Sequence, residues 1–215
     1  MTTAFLEPGW KVLLVGGSAG VGKTTVARAL AQRFRTSVLP ADDLRLALQE
    51  MTTPEQQPQL HAFSNERQVR KLTPEQLRDA LIAVANAMQP ALRTVCAYHT
   101  FVIDAEPVII EGENVVPQVA ADRRFRGLKT FGDANAGPDD LRAVFLYEPD
   151  EQTLLRAMRE HNPRFRDLPN KEQERMARAS WLYGLWLKEE AGRLKLPALP
   201  VRPWTTLVER VIGSH

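Results

Sequence analysis

The sequence has very little of what disulfide-rich and metal-binding folds are built from. Only one of its 215 residues is a cysteine, Cys96, so no internal disulfide can form. The four histidines, His61, His99, His161 and His215, are not spaced like metal ligands. These absences exclude a disulfide framework and a cysteine-rich metal centre, and we expect no zinc site.

Long apolar runs and a targeting segment are also missing. No run reaches the roughly 18 consecutive apolar residues of a transmembrane helix, and residues 1–8 hold an acid but no basic region of a signal peptide. Hydrophobic residues make up 44% of the chain and charged residues 25%, an ordinary globular composition. We therefore expect a cytoplasmic protein with no membrane partner.

A large charge of one sign is absent as well. Lys and Arg number 28 and Asp and Glu 26, which gives a formal net charge of +2. A groove that follows a nucleic-acid backbone needs a larger positive excess. The balance makes nucleic acid a poorer candidate partner than a small molecule and leaves it as an alternative. It says nothing about the oligomeric state.

Short apolar strands alternate with amphipathic helices along the chain. The strands are continuous apolar runs, which is typical of parallel strands buried on both faces. We predict an α/β fold with a parallel five-stranded sheet and helices on both faces, in a single domain over residues 1–215. The expected strands are residues 10–15, 36–41, 107–113, 141–147 and 199–201.

The segments between these strands carry further local signals. Thr73–Gln76 is a helix start with the residues of a capping box, and Pro90 predicts a break before a second helix at about 91–105. The polar residues 52–70 predict a mobile segment with short helices at most. Residues 125–140 contain three glycines and a proline and predict a surface loop.

Residues 17–24 read Gly-Ser-Ala-Gly-Val-Gly-Lys-Thr and match the phosphate-binding motif G-x-x-x-x-G-K-[ST] between an expected strand and an expected helix. Glycines let the backbone approach phosphate oxygens, and the helix N-terminus attracts anions. Lys23 supplies a mobile charge for the β- and γ-phosphates, so we assign it a catalytic role, and Thr24 is a candidate Mg²⁺ ligand. The motif predicts a P-loop NTPase with ATP and Mg²⁺ as cofactors; the alternative is a glycine-rich turn without a ligand. The expected nucleotide-binding residues are Gly17, Ser18, Ala19, Gly20, Val21, Gly22, Lys23, Thr24 and Thr25.

An acidic turn, Asp42-Asp43-Leu44-Arg45, follows the second expected strand. Ligands of open α/β sheets gather at the carboxyl ends of the strands, and a carboxylate there can accept a proton from an attacking hydroxyl. The alternative is a simple helix N-cap, a position that aspartate favours. With two aspartates in the turn, both interpretations can hold.

The order of strand, phosphate loop, helix and Asp-Asp-x-x-Arg turn resembles the small P-loop kinases. These include 2-phosphoglycerate kinase, polynucleotide kinase, and the zeta-toxin and antibiotic phosphotransferase relatives. The resemblance implies that Asp42 is the catalytic base and that Arg45 binds the substrate. Asp43 stays the alternative base.

An apolar strand that ends in acids follows at Val108–Ile110 with Glu111-Gly112-Glu113-Asn114. A carboxylate in this position is the Walker B pattern, which holds Mg²⁺ directly or through water, so Glu111 is the second candidate metal ligand. The stretch resembles the Ile-Ile-Glu-Gly strand of 2-phosphoglycerate kinases. Glu113 and Asn114 would face the substrate. For Glu113 the alternative is a solvated strand end.

A cluster of arginines falls between residues 156 and 178, in and between two expected helices. Its members are Arg156, Arg159, Arg164, Arg166, Arg175 and Arg178. Small P-loop kinases carry a helical lid here, so the resemblance implies a lid at about 156–178 with Arg159, Arg164 and Arg166 as the candidates to act on the phosphates. Which of the three does so stays open. For Arg175 and Arg178 we prefer a solvated helix face.

The resemblance implies an ATP- and Mg²⁺-dependent kinase that transfers the γ-phosphate to a hydroxyl of a small molecule. The acceptor could be a phosphorylated or carboxylated metabolite such as 2-phosphoglycerate. The resemblance also implies that residues 199–204 lie beside the adenine. Two alternatives stay open: a kinase for the 5′-hydroxyl of nucleic acid, and a nucleotide-dependent ATPase switch that binds a protein partner.

Overall fold

The computed structural model describes residues 6–101, 106–121, 123–128, 132–137 and 139–214. The strands are β1 (Val12–Gly17), β2 (Ser37–Pro40), β3 (Val108–Gly112), β4 (Arg124–Leu128), β5 (Gly132–Asn135), β6 (Leu141–Tyr147) and β7 (Ala198–Pro200). The helices are α1 (Lys23–Phe34), α2 (Ala41–Glu50), α3 (Glu66–Val69), α4 (Pro74–Phe101), α5 (Pro117–Ala121), α6 (Glu151–His161), α7 (Pro163–Arg166), α8 (Asn170–Arg193) and α9 (Leu207–Ile212). A short 3₁₀ turn at Trp204–Thr206 precedes α9.

Five of the strands form one parallel sheet in the order β2-β3-β1-β6-β7. All six residues of β1 and all five of β3 are buried. Parallel strands of this kind are covered on both faces and therefore need apolar residues at every position. The predicted five-stranded parallel sheet is confirmed.

Alternate residues of the central strands serve two separate cores. Val12 and Leu14 of β1 pack on one face of the sheet with buried residues of α4 and α8. Leu13 and Val15 pack on the other face with buried residues of α1, α6 and α9. Side chains alternate across a strand, so one apolar run can fill both layers. The prediction of helices on both faces is confirmed.

Helix α4 continues through Pro90, so the predicted break at that residue is wrong. Met88 and Leu92 on either side are fully buried, and their packing outweighs the hydrogen bond that proline cannot donate. By length and composition alone α4 could cross a membrane, but its buried residues belong to the core against the sheet and α8. Residues 102–105 of the predicted second helix lie outside the described residues.

The segment predicted as a surface loop at 125–140 contains an antiparallel strand pair, β4 with β5. Phe125 is fully buried, with its ring centroid 5.6 Å from that of Phe101. This one aromatic anchor attaches the hairpin to the core, which the glycine content of the segment did not indicate. Residues 129–131 and 138 lie outside the described residues. The polar segment 52–70 forms turns and the short helix α3, which confirms the prediction of short helices at most, while its mobility stays a prediction.

Candidate active site

The phosphate loop between β1 and α1 has a backbone shape that requires glycine. Gly20 and Gly22 both have φ of 81°, in the left-handed region that favours this residue. A Cβ on Gly22 would lie 2.1 Å from the Trp204 ring, and one on Gly20 would lie 2.5 Å from Cγ of Met158. Backbone conformation and packing therefore both demand glycine at these two positions.

Lys23 and Thr24 begin α1 and point to two different partners. Lys23 is only 9% exposed, and its Nζ donates a hydrogen bond to the carbonyl oxygen of Ser18 at 2.9 Å. Thr24 Oγ1 donates to Glu111 Oε1 at 2.9 Å. Glu111 lies opposite Val15 in the β1–β3 pairing, so the sheet register brings the Walker B carboxylate to the phosphate loop. The two candidate metal ligands are thus in direct contact.

The residues at this point fit a magnesium ion. A hydroxyl and a carboxylate are hard oxygen ligands, which Mg²⁺ prefers, and Glu111 is 6% exposed. Within the described part of the chain, no group of three or more His, Cys, Asp or Glu side chains forms a metal cage. Thr24 and Glu111 would therefore hold a Mg²⁺ that takes its remaining ligands from phosphate oxygens and water.

The acidic turn lies beside the end of the neighbouring strand β3. Asp42 Oδ1 is 3.4 Å from Arg45 Nε and 3.4 Å from Asn114 Nδ2. The Asp42 side chain is 59% exposed and that of Arg45 only 24%, and Arg45 Nη1 also donates to Gln49 Oε1 at 2.7 Å. Asp43 is exposed on the same helix turn. The structure brings Asn114, which the sequence assigned to the third strand end, into contact with Asp42 of the acidic turn, which also carries Arg45.

Glu113 lies against the phosphate loop. Its Oε1 accepts a hydrogen bond from the backbone N–H of Ala19 at 3.1 Å, and its carbonyl oxygen accepts one from the Tyr183 hydroxyl at 2.7 Å. Burial raises the pKa of the Glu113 carboxyl, and the positive charge of Lys23 opposes that rise. The alternative of a solvated strand end is therefore wrong for this residue.

A cavity of about 650 Å³ lies between the phosphate loop, the end of α6 and the segment at Arg202 and Trp204. Its walls include Gly22, Lys23 and Thr24, the end of α6, and the side chains of Arg202 and Trp204. Arg202 Nε donates to Glu148 Oε2 at 3.0 Å, which fixes the segment that carries Trp204. The cavity has room for a nucleotide, with the indole positioned as one wall.

The three expected lid arginines do not line this cavity among the described residues. Arg159 Nε donates to Gln173 Oε1 at 2.6 Å, and Gln173 Nε2 donates to the carbonyl oxygen of Arg166 at 2.9 Å. Arg164 and Arg166 are exposed on the short helix α7, which the buried Phe165 anchors. The segment at 156–178 is helical as expected, and its closure over the phosphates stays a prediction.

Arg175 is a structural residue, and its assignment to a solvated helix face is wrong. Its side chain is 14% exposed and pairs with Glu172, and its Nη1 donates to the carbonyl oxygens of Val69 and Leu72 at 3.0 and 2.6 Å. It therefore fastens the segment before α4 to α8. Arg178 pairs with Glu151 and is more exposed, at 42%.

A second cavity, of about 360 Å³, lies between Ala19 of the phosphate loop, α4 and α8. It shares Ala19 and Met158 with the nucleotide-sized cavity, and Glu113 forms part of its wall. Sequence reasoning did not identify its apolar residues, such as Phe63 and Met176, because an apolar side chain that lines a cavity gives the same pattern as one that fills a core.

The sheet order, the phosphate loop and the Thr24–Glu111 contact define an α/β fold of the P-loop NTPase class. A family model described as an AAA domain matches residues 12–103, which run from β1 through α4. No curated protein matches the sequence.

Two solved structures share this fold over nearly their whole length. One is a gluconokinase from Sinorhizobium meliloti 1021, 16% identical, with 97% of this chain and 93% of that chain covered and a TM-score of 0.50. The other is a sugar kinase from Janibacter sp. HTCC2649, 18% identical, with 95% and 94% covered and a TM-score of 0.52. At these identities the similarity establishes the fold. The narrower resemblance to 2-phosphoglycerate kinase or polynucleotide kinase is not confirmed.

Proposed function

We propose that the protein is an ATP- and Mg²⁺-dependent kinase that transfers the γ-phosphate of ATP to a hydroxyl group of a small molecule. One observation carries the proposal. The Thr24–Glu111 contact and the Asp42–Arg45–Asn114 group lie at the ends of adjacent strands of one parallel sheet. The first suits a metal-bound triphosphate and the second suits a hydroxyl that must lose a proton.

The phosphate loop would bind the triphosphate through its backbone N–H groups and through Lys23. Lys23 would leave its hydrogen bond with the Ser18 carbonyl and donate to the phosphate oxygens instead, where its charge offsets negative charge that develops during transfer. Bound Mg²⁺ would neutralise charge on the phosphates, with Thr24 and Glu111 as its protein ligands. The indole of Trp204 would lie beside the nucleotide.

The acidic turn would activate the acceptor. The acceptor oxygen attacks the γ-phosphorus, its proton passes to the Asp42 carboxylate, and the bond to the β,γ-bridging oxygen breaks to release ADP. Arg45 and Asn114 hold Asp42 in place through its Oδ1. Glu113 would contact the acceptor, and Arg159, Arg164 or Arg166 would reach the phosphates when the lid closes. Asp43 stays the alternative base.

The identity of the acceptor, the cellular location and the domain organisation stay predictions. An anionic acceptor such as 2-phosphoglycerate would rely on Arg45, whose guanidinium already contacts Asp42 and Gln49. The cytoplasmic location and the single domain over residues 1–215 rest on the sequence alone. The similarity to a gluconokinase and a sugar kinase supports small-molecule acceptors over nucleic acid.

The test is acceptor-dependent ADP release with MgATP, followed by mass spectrometry of the acceptor. The panel contains sugar acids, phosphorylated acids, apolar alcohols and a 5′-hydroxyl oligonucleotide. We expect a phosphorylated product from wild type and none above background from Lys23→Ala. The exposed Lys195→Ala is the matched control and should behave as wild type. ATP hydrolysis that no acceptor stimulates, and that a protein partner accelerates, would favour the ATPase switch.

A further inference from the structure

The cavity of about 360 Å³ between Ala19, α4 and α8 is almost entirely apolar. Its apolar walls include Phe63, Val69, Leu77, Leu81, Met176 and Ala179. They come from the segment before α4, from α4 itself and from α8. Its volume of about 360 Å³ corresponds to roughly a dozen water-sized groups at ~30 Å³ each. A molecule with about twelve non-hydrogen atoms would therefore fill it.

The polar groups of this cavity are gathered at the phosphate loop. Glu113 Oε1 accepts from the Ala19 N–H at 3.1 Å, and Ser180 Oγ donates to the Ala19 carbonyl at 3.0 Å. Ala19 also borders the cavity that fits the nucleotide. A ligand in the apolar cavity would thus have one end at the phosphate loop and the rest among carbon atoms.

The apolar residues that line the cavity disfavour a ligand whose main part is polar. None of the described residues that line the cavity is a lysine or an arginine. A sugar or a carboxylate placed there would lose its hydration without equivalent hydrogen bonds, which is costly. An aromatic or aliphatic group would gain by leaving water.

We propose that this cavity is the acceptor site and that the acceptor is an alcohol with an apolar body of about a dozen non-hydrogen atoms. Its hydroxyl lies at Glu113, at the end of the cavity that meets the phosphate loop, and its proton passes during transfer to Asp42, which contacts Asn114, the residue that follows Glu113. The inference rests on the proposed kinase function, because it names the class of acceptor for that same site. It departs from the phosphorylated or carboxylated acceptor expected from the sequence.

A homologous series of phenylalkanols tests the inference directly. Benzyl alcohol, 2-phenylethanol, 3-phenylpropan-1-ol and 4-phenylbutan-1-ol differ by one methylene each. Burial of a methylene changes an equilibrium or a rate constant about fourfold, so kcat/KM should rise about fourfold per step until the cavity is full. Gluconate, shikimate and 2-phosphoglycerate form the polar comparison set and should be poorer acceptors.

Two variants connect any preference to the cavity. Met176 is 38% exposed, so Met176→Gln should fold normally and lower kcat/KM for 3-phenylpropan-1-ol about fivefold without changing the KM for ATP. Ala179→Leu should fill the cavity and lower it further. Met51→Gln changes a methionine that is 80% exposed and outside the cavity walls, and it should leave both constants unchanged.

Binding measured apart from catalysis separates the two proposals. Saturation-transfer NMR of 3-phenylpropan-1-ol should show binding in the presence of a non-hydrolysable ATP analogue, and Met176→Gln should weaken it. Transfer to the polar set that exceeds transfer to every phenylalkanol, with Met176→Gln unaltered, would overturn the acceptor class and keep the kinase. Met176-dependent binding with no transfer to any alcohol would overturn the kinase function and keep an apolar ligand site.

Discussion

The proposed nucleotide side and the proposed acceptor side of the site are built in different ways. The nucleotide side centres on one continuous segment, residues 17–25, to which the adjacent strand adds Glu111, and the end of α6, Arg202 and Trp204 complete the cavity wall. The acceptor side is assembled from the ends of two strands, the segment before α4, and α4 and α8. A phosphate is the same in every nucleotide and can be bound by a fixed local motif. An acceptor varies, and its site is made by side chains that only the fold brings together.

The strongest test of the nucleotide side is Lys23→Ala. We expect kcat to fall about 10³- to 10⁵-fold, the range given by an arginine that stabilises the charge of the transferred phosphate, while circular dichroism shows an intact fold. Lys23→Arg should also be poor, because a planar fork does not replace a compact ammonium group. Normal turnover by a folded Lys23→Ala variant would contradict the assignment of residues 17–25 as the phosphate-binding loop. The contrast between the two sides of the site would then no longer hold.

Asp42→Asn tests whether Asp42 accepts the proton of the acceptor hydroxyl. We expect kcat to fall about 10²- to 10⁴-fold because asparagine keeps the shape of aspartate without its basicity. The affinity for ATP, measured by calorimetry, should not change. Asp43→Asn is the matched control one residue away and should retain most activity. The reverse result would move the base to Asp43, and two active variants would mean that this turn holds no base.

The lid arginines test whether the nucleotide side extends beyond its motif. Arg159→Ala, Arg164→Ala and Arg166→Ala should include at least one variant with kcat reduced about 10²-fold and a smaller change in the KM for ATP. Arg156→Ala is the control, since that side chain is exposed and donates to Thr153 one turn away.

Amide exchange gives the lid an independent readout. Residues 159–169 should become more protected when a non-hydrolysable ATP analogue and Mg²⁺ are added, because bound phosphate supplies the charge that draws the arginines together. Unchanged exchange together with three near-normal alanine variants would show that the cluster is a solvated surface. The nucleotide side would then end at the phosphate loop.

The smallest effect concerns Glu113, which belongs to both sides. Burial raises its pKa in the folded protein above the ordinary value of 4.5, so the native state binds this proton more tightly than the unfolded chain does. The free energy of unfolding should therefore fall as pH rises from 4.5 toward the raised value. Glu113→Gln should flatten this dependence in urea titrations, and the exposed Glu174→Gln should not. An identical pH dependence of the free energy of unfolding in both variants would mean that the Glu113 carboxyl is solvated.

The sequence predicted best what is encoded locally. The phosphate loop, the parallel sheet and the Glu111 carboxylate each follow from a contiguous pattern. Pro90 and Phe125 show where local rules lose to packing, since buried neighbours keep α4 unbroken and one aromatic ring turns an expected loop into a hairpin. Arg175 was misassigned because its carbonyl partners are about a hundred residues away along the chain.

Two side chains in the first two turns of α8 contact segments on two sides of the site. Gln173 holds the carbonyl of Arg166 near the lid. Arg175, two residues later, holds the carbonyls of Val69 and Leu72 in the segment that walls the apolar cavity. A displacement of this end of α8 would break the contacts of both side chains at once, so the lid and the segment before α4 are expected to move together. In kinetic terms the two substrates would then exchange through a common gate, and ADP and the phosphorylated product would leave with similar rate constants, which stopped-flow measurement of the two release steps would reveal.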